Sequence, residues 1–330
     1  LLRSFGRVRG GPVLVLAGDS QGAFLGDALD PAQVLERKLA RDYDRPRQKD
    51  DIGELLDLAK PDIHVELTPT NLEDGQPAVG DLIAAFARKI PAVSATKSHQ
   101  RTRATLADTL EAARGLPFLD HAATLAGIPA TEMVAGVGMQ LRQLEGVLNG
   151  TTNYILARLS EGVAFDTARD EAVEKGFAEA NWRYDLEGQD VAVKLVGLVR
   201  HLTGELIGAE DVQLDGLPEL GLEKGIVGAS PELMAKLASE GKTLKLMGQV
   251  DLTDAGVQAR VAPRVLAANA DFAQINGFTN AVRVVGDMNG TRMELFLRGP
   301  GAGADETASR VLGNLNHLIE ILSWTEQEDL

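Results

Sequence analysis

Apolar positions along the chain fall into short runs separated by glycine, proline and polar clusters. Val13 to Ala17 (VLVLA) is uninterrupted between Gly11-Pro12 and Gly18-Asp19, a pattern that predicts a strand buried on both faces of a parallel sheet. The preceding LLRSFGRVRGG reads as the tail of an amphipathic helix followed by a glycine turn. Ile63 to Leu67 (IHVEL) predicts a strand, Pro77 to Arg88 a helix with proline in its first turn, and Ile90 to Thr96 (IPAVSAT) another strand. Strand, helix and strand within about 35 residues make a parallel unit with a right-handed crossover. The two strands end in TPTN and TK, so Thr68, Thr70, Asn71 and Lys97 share the carboxyl edge, where open parallel sheets bind ligands. Taken alone, Lys97 reads as a solvated loop lysine; the topology makes it a candidate.

Further along, Leu106 to Arg114 predicts a helix, Leu116 to Leu119 a short strand and Leu141 to Leu148 (LRQLEGVL) a half-buried strand. Asn149 to Asn153 is a turn cluster ahead of a helix from Tyr154 to Leu159, and Phe165 to Lys175 is an amphipathic helix closed by Gly176. Strands are expected at Thr243 to Val250, Gly256 to Ala262, Ala281 to Asp287 and Met293 to Arg298, with a hairpin signal at Asp287-Met288-Asn289-Gly290. No ionisable cluster is visible among them, which suggests a structural or dimer-forming layer. A glycine-rich GPGAG turn then opens a helix from Thr307 to Leu322; by itself such a turn more often serves tight geometry than a ligand.

The pattern turns chemical at Val191 to Val199 (VAVKLVGLV), apolar on all sides except at Lys194. An unpaired ammonium in such a helix would cost several kcal/mol, so Lys194 requires a carboxylate partner or a depressed pKa. Asp190 stands four residues earlier in the favourable acid-before-base order. A structural salt bridge explains that pair equally well, but Glu179 and Asp185 bring three carboxylates within reach of one lysine. Such a group suits recognition of a substrate ammonium by carboxylates while a lysine acts on an oxygen.

Composition narrows the field. The 330 residues carry 33 Lys+Arg against 48 Asp+Glu, a net charge of −15, which disfavours nucleic acid and anionic membranes as partners. With 44% hydrophobic and 25% charged residues the chain is globular, and its length fits two or three domains. The absence of cysteine excludes disulfides, thiolate metal sites and thiol nucleophiles, including the thioester route of semialdehyde dehydrogenases. No apolar stretch approaches the roughly 20 residues of a membrane span, and no signal-type leader is visible, so the expected compartment is the cytosol. Asp19, closing the first predicted strand, suits the ribose hydroxyls of NAD and would repel a 2′-phosphate, although Asp19-Ser20 also reads as plain turn chemistry. The GxGxxG fingerprint expected before such a strand is absent, because Gly6, Gly10 and Gly11 follow no strand.

Five segments in order, VELTPTN, SATK, GVLNGTTNYIL, GFAEANWRYDLEGQDVAVK and GPGAGADETAS, resemble the homoserine dehydrogenase family. They span Glu66 to Ser309, and LNGTTNYIL with the Glu-x5-Asp-x4-Asp-x3-Lys spacing is specific. The resemblance implies a Rossmann-like doubly wound parallel sheet, lacking its first strand, joined to an α+β catalytic and dimerisation domain. It implies catalytic roles for Lys194 and Lys97 with Asp190 holding Lys194, and substrate contacts from Glu179, Asp185, Gly150 and Thr151. It places Thr68, Pro69, Asn71, Lys97 and Gly301 at the nicotinamide end of NAD or NADP, and a monovalent cation (Na or K) on the backbone carbonyls of His121, Thr124, Ala126 and Ile128. The implied reaction is reversible reduction of L-aspartate 4-semialdehyde to L-homoserine, with a small-molecule substrate and a homodimer as the partners.

Four departures from the family pattern stand out. The first strand and its glycine turn are missing, His121 replaces the usual Glu, Asn181-Trp182 stands for Asp-Pro, and no ACT regulatory domain follows Leu330. The expectation is a fragment short by roughly 15 to 20 residues, about one βα turn. Domains are expected at 1–120, dinucleotide-binding and completed by 300–330; at 121–242, catalytic; and at 243–299, a dimerisation layer. The competing reading is a noncatalytic homologue that binds an amino acid or a partner without cofactor.

Overall fold

The computed structural model describes residues 12–46, 52–174, 182–301 and 303–328; the opening segment 1–11, Gly176, Glu179 and Asn181 lie outside the described residues. The chain divides into two compact units. One comprises Leu1–His99, Thr105–Ala123 and Ala304–Leu330, the other Gln100–Ala104 and Thr124–Gly303.

In the first unit, β1 (Leu16–Gly18), β2 (Gly22–Leu25) and β3 (Arg45–Pro46) form a small antiparallel sheet in the order β1-β2-β3. This corrects the expectation for Val13 to Ala17. The apolar run enters a hairpin rather than a parallel sheet, because Asp19 turns the chain: its amide donates to the Gly22 carbonyl at 2.9 Å and its carboxylate accepts the Gln21 amide at 2.8 Å. An all-apolar run reports burial, and burial alone does not distinguish strand directions. Helix α1 (Pro31–Ala40) follows, capped by the Asp30 carboxylate on the Ala32 amide with proline at its first position.

Next come α2 (Ile52–Ala59), β4 (His64–Glu66), α3 (Ala78–Ala87), β5 (Ala92–Ser94), α4 (Arg103–Ala112) and β6 (Phe118–Leu119). The three strands form a parallel sheet, β4-β5-β6, with Glu66 beside Ser94 in register. The loops after β4 and β5 therefore leave from one edge. Leu82, Phe86, Ala92 and Ala113 pack one side of this sheet. The C-terminal helix (Ala304–Glu328) covers Val93 with Val311, Leu315 and Leu318, a 4-then-3 spacing that keeps all three on one face. Each such leucine contributes about 1.5 to 3 kcal/mol when withdrawn from water.

The second unit is built on a mixed six-stranded sheet in the order β12-β11-β7-β9-β10-β8: β7 (Gln140–Val147), β8 (Gln213–Leu214), β9 (Lys242–Thr253), β10 (Gly256–Ala267), β11 (Thr279–Met288) and β12 (Thr291–Pro300). All pairs are antiparallel except β8 with β10. Helices α5 (Ala130–Val137), α6 (Gly150–Ser160), α7 (Phe165–Glu174), α8 (Arg183–Leu186), α9 (Gln189–Thr203) and α10 (Pro231–Ser239) complete the unit. Helix α9 lies close on β9 where Gly248 leaves room; a Cβ there would come within 2.9 Å of Val191 and 3.1 Å of Leu195.

Two further expectations change. Helix α6 begins at Gly150 rather than Tyr154, because the polar cluster is its cap and first turn: Asn149 Oδ1 accepts the Thr152 amide at 2.8 Å. The antiparallel strands also carry an ionisable cluster. Glu145 receives Arg264 at 3.0 Å and Arg283 at 3.1 Å, and Arg283 also reaches Asp271 at 2.5 Å and Glu294 at 3.0 Å. Arg283 stands opposite Glu145 in the β11–β7 register, a pairing between residues far apart in sequence.

Candidate active site

Lys194, in the middle of α9, is 7% exposed. Its Nζ lies 2.7 Å from Asp190 Oδ2, one turn earlier on the same helix, and 2.7 Å from the Leu148 carbonyl at the end of β7. Asp190 is buried as well and shares a second partner with Asp185. The Asn149 amide nitrogen donates to Asp185 Oδ1 at 2.7 Å and to Asp190 Oδ2 at 2.9 Å. Asn149 is thus used at every side-chain atom, capping α6 with its oxygen and joining two carboxylates with its nitrogen. Gly150 and Thr151 form the first turn of that helix, and a Cβ on Gly150 would stand 3.2 Å from the Phe278 ring.

In the first unit the two loops at the carboxyl edge are cross-bonded. The Lys97 amide donates to Thr70 Oγ1 at 3.2 Å, and the Asn71 amide to Ser98 Oγ at 2.9 Å. Thr68 turns inward: its amide and hydroxyl both donate to Glu66 Oε1, at 2.8 and 2.5 Å. Burial pushes the Glu66 carboxyl up, yet His64 at 3.2 Å and the two Thr68 donors outweigh it and hold the group below the usual glutamate range. Asn71 spends its side chain on its own loop, donating to Asp74 Oδ1 and the Gln76 carbonyl and accepting the Glu73 amide. Pro69 is exposed and Lys97 half-buried. Below the edge, His99 Nε2 meets Asp120 Oδ2 at 2.6 Å with both side chains fully buried.

Asp19 ends β1 half-buried. Burial raises its carboxyl, but the Gln21 amide, the Tyr43 hydroxyl at 2.8 Å and the Lys38 ammonium at 3.1 Å together leave it below the ordinary aspartate value. Gly301 follows β12, where a Cβ would stand 2.2 Å from the Asn280 side-chain amide, so the loop accepts glycine alone without displacement. Among the described residues no group of three His, Asp or Glu side chains could hold a metal. The cation expectation concerns neutral backbone carbonyls instead; that of Ile128 also accepts the Ala130 amide at 2.9 Å.

Sequence reasoning missed four polar residues. Asn149 had a signal, a cap residue directly before a helical pattern. Glu66 ends an apolar strand, and Lys245 interrupts one, as Lys194 does in its helix. Lys245 is 3% exposed, bonded to Asn153 Oδ1 at 2.7 Å, Asn276 Oδ1 at 3.2 Å and the Ile275 carbonyl, and burial lowers it to about 8. Asn280, fully buried on β11, donates to the Leu148 carbonyl at 2.8 Å; nothing local in the sequence marks it.

The sequence model described as Homoserine dehydrogenase matches residues 131–315. The homoserine dehydrogenase of Methanocaldococcus jannaschii is 31% identical over 317 residues, 92% of this chain and 88% of that protein. The NAD(+)-dependent homoserine dehydrogenase of Pseudomonas canavaninivorans is 30% identical, with 82% of this chain and 74% of that protein covered. Among solved structures, a homoserine dehydrogenase from Thiobacillus denitrificans superimposes with a TM-score of 0.73 at 28% identity, covering 88% of this chain and 64% of that one. The fold is also that of the Thermoplasma acidophilum homoserine dehydrogenase, with a TM-score of 0.76, 22% identity and 97% and 93% coverage. A parallel sheet, a mixed sheet and these relatives together define an NAD(P)-dependent oxidoreductase acting on a small molecule. The chain belongs to the homoserine dehydrogenase family, enzymes of amino-acid biosynthesis.

Proposed function

We propose that this chain catalyses the reversible reduction of L-aspartate 4-semialdehyde to L-homoserine with NAD(P)H, in the cytosol and as a homodimer formed through the antiparallel strands. The observation that carries the reading is the Lys194–Asp190–Asn149–Asp185 array, buried at its first three members and half-buried at Asp185. Lys194 has three N–H donors, two of them directed at Asp190 and the Leu148 carbonyl; the third is assigned to the aldehyde oxygen, which it protonates as the alcohol forms. Asp185, with Glu179, would take the substrate ammonium. Asn149 holds Asp185 and Asp190 together, so two anions are present where a cationic amino group must be recognised. The array sits on helices, which fixes its geometry more tightly than loops would.

The first unit is read as a Rossmann-like dinucleotide fold. The nicotinamide cofactor, when bound, supplies or accepts the hydride. Thr68, Pro69, Asn71 and Lys97 are proposed to hold it at an edge where backbone and neutral hydroxyls predominate, and Gly301 is proposed as a further cofactor contact; Lys97 is also proposed as the second catalytic lysine. Since the Asn71 side-chain amide is committed to its own loop and its backbone amide to Ser98, its contribution would come from its carbonyl or after that loop opens. Asp19 supports NAD, but Lys38 at 3.1 Å offsets its charge, which tempers discrimination against a 2′-phosphate. A monovalent cation would be held by the carbonyls of His121, Thr124, Ala126 and Ile128, whose neutral oxygens suit such an ion.

The test is turnover of L-homoserine with NAD⁺ and with NADP⁺. Formation of reduced nicotinamide, slowed about 10²- to 10⁴-fold in Lys194→Ala, is expected. A folded Lys194→Ala protein that turns over as fast as the wild type would overturn the assignment.

A further inference from the structure

We propose that Asn280 is the positioning residue for Lys194, acting through the Leu148 carbonyl that both side chains share. This rests on the reading of Lys194 as the proton-transferring lysine. A carbonyl oxygen has two lone pairs, and here the ammonium takes one at 2.7 Å and the Asn280 amide nitrogen takes the other at 2.8 Å. The orientation of Asn280 follows from chemistry, since a carbonyl accepts and only the nitrogen of the amide donates.

Leu148, fully buried, lies between β7 and the cap of α6, outside the strand ladder, and its carbonyl takes its two donors from the Lys194 and Asn280 side chains. Asn280 fixes the plane of that peptide, and so fixes where the Lys194 ammonium rests relative to Asp190. The same amide is wedged on its other side: Gly301 comes so close that a Cβ would lie 2.2 Å from Oδ1, and the Gly301 amide is tied to the Phe278 carbonyl at 2.9 Å. Asn280 Oδ1 itself meets no donor among the described residues. One fully buried side chain therefore sets both the anchor of the lysine and the seat of the glycine-rich loop. Among the described residues, charged groups bonded to the lysine directly or through Asn149 include Asp190 on its own helix and Asp185 on α8.

The experiment uses the full chain and begins with wild-type turnover of homoserine, whose absence would count against the proposed function and not against Asn280. Asn280→Leu removes the donor at nearly constant volume, and Asn280→Asp replaces it with an acceptor that repels the carbonyl and attracts the ammonium. Both are expected to lower kcat about 10- to 100-fold, the scale of a small misplacement of a catalytic group, with KM for homoserine within about threefold. Asn280→Asp should in addition shift the pH profile of kcat, which Asn280→Leu should not. Wild-type kcat in both folded variants would overturn the proposal.

A second measurement is independent of those variants folding. In Lys194→Met the Leu148 carbonyl loses its competing donor, and the side-chain amide proton of Asn280 should move downfield in the nitrogen-proton NMR spectrum. An Asn280 signal unmoved by Lys194→Met would overturn the shared-carbonyl coupling.

Discussion

The two polar clusters reach order by opposite routes. In the second unit, Lys194, Asp190, Asp185 and Asn149 are side chains projecting from helices or a helix cap, bonded to one another. In the first unit, the loops after β4 and β5 are held by hydroxyls gripping backbone amides, Thr70 on Lys97 and Ser98 on Asn71, while the side chains of Glu66 and His99 lie beneath as supports. A small charged amino acid is recognised by charges whose positions must not drift. An extended dinucleotide is recognised along its length by backbone and neutral groups, and each contact can be weaker. Substitutions in the helix-borne cluster should accordingly alter chemistry, and those in the loop-borne cluster should alter cofactor affinity.

The largest effect is expected at Lys194. If it moves the proton, Lys194→Ala lowers kcat by about 10²- to 10⁴-fold while circular dichroism stays native. A comparable fall in the first unit from Ser98→Ala would erase the distinction between the clusters. Asn149 comes next and has two separable duties. Asn149→Ala loses the helix cap, about 1 kcal/mol, and the bridge between Asp185 and Asp190. Asn149→Asp keeps the accepting oxygen, hence the cap, but replaces the bridging donor with a third negative charge. Both variants should melt below wild type, Asn149→Ala through the lost cap and Asn149→Asp through like-charge repulsion, and KM for homoserine should rise in both. A KM change confined to Asn149→Ala would mean that the cap alone matters.

The comparison also explains what the sequence made legible. The Asp190–Lys194 pair was readable because a helix converts a spacing of four into adjacency, and a lysine in an apolar run announces a cost that something must offset. Thr68, Thr70, Asn71 and Lys97 were readable only through topology, by the rule that parallel strands end at a common edge; the β4–β5 register puts their loops there. What stayed hidden depends on register between distant strands. Glu145 meets Arg283 across β7 and β11, and Asn280 meets Leu148 across 132 positions of sequence. The hairpin at Asp19 was hidden for another reason: its strand is apolar enough to pass for a central one, and its partner Gly22–Leu25 is only four residues long.

Ser98 offers the next sharpening. Its hydroxyl accepts the Asn71 amide and bonds Thr96 Oγ1 at 2.8 Å, so Ser98→Ala leaves a half-buried amide without that acceptor. A loss of about 1 kcal/mol in loop order corresponds to roughly a fivefold rise in KM for the cofactor, with kcat nearly unchanged. Steady-state kinetics with each nicotinamide cofactor would measure it, and a fall in kcat at unchanged KM would contradict the cofactor-holding role.

The smallest effect concerns stability rather than turnover. Glu66 is 2% exposed and its folded-state carboxyl is held lower than in the unfolded chain by His64 and Thr68, despite burial. The unfolded chain therefore binds the proton more readily, and the stabilisation is fully present above the unfolded value of about 4.3 and lost as pH falls through the lowered folded value. Glu66→Gln lacks this titration. Urea denaturation between pH 7 and pH 3 should show the wild-type advantage shrinking toward the acid end, with Thr68→Val reducing it at neutral pH. An advantage that grew on acidification would mean that burial outweighs the Thr68 and His64 bonds. The loops above β4 would then rest on a neutral acid, bringing the first unit closer to an ordinary apolar support.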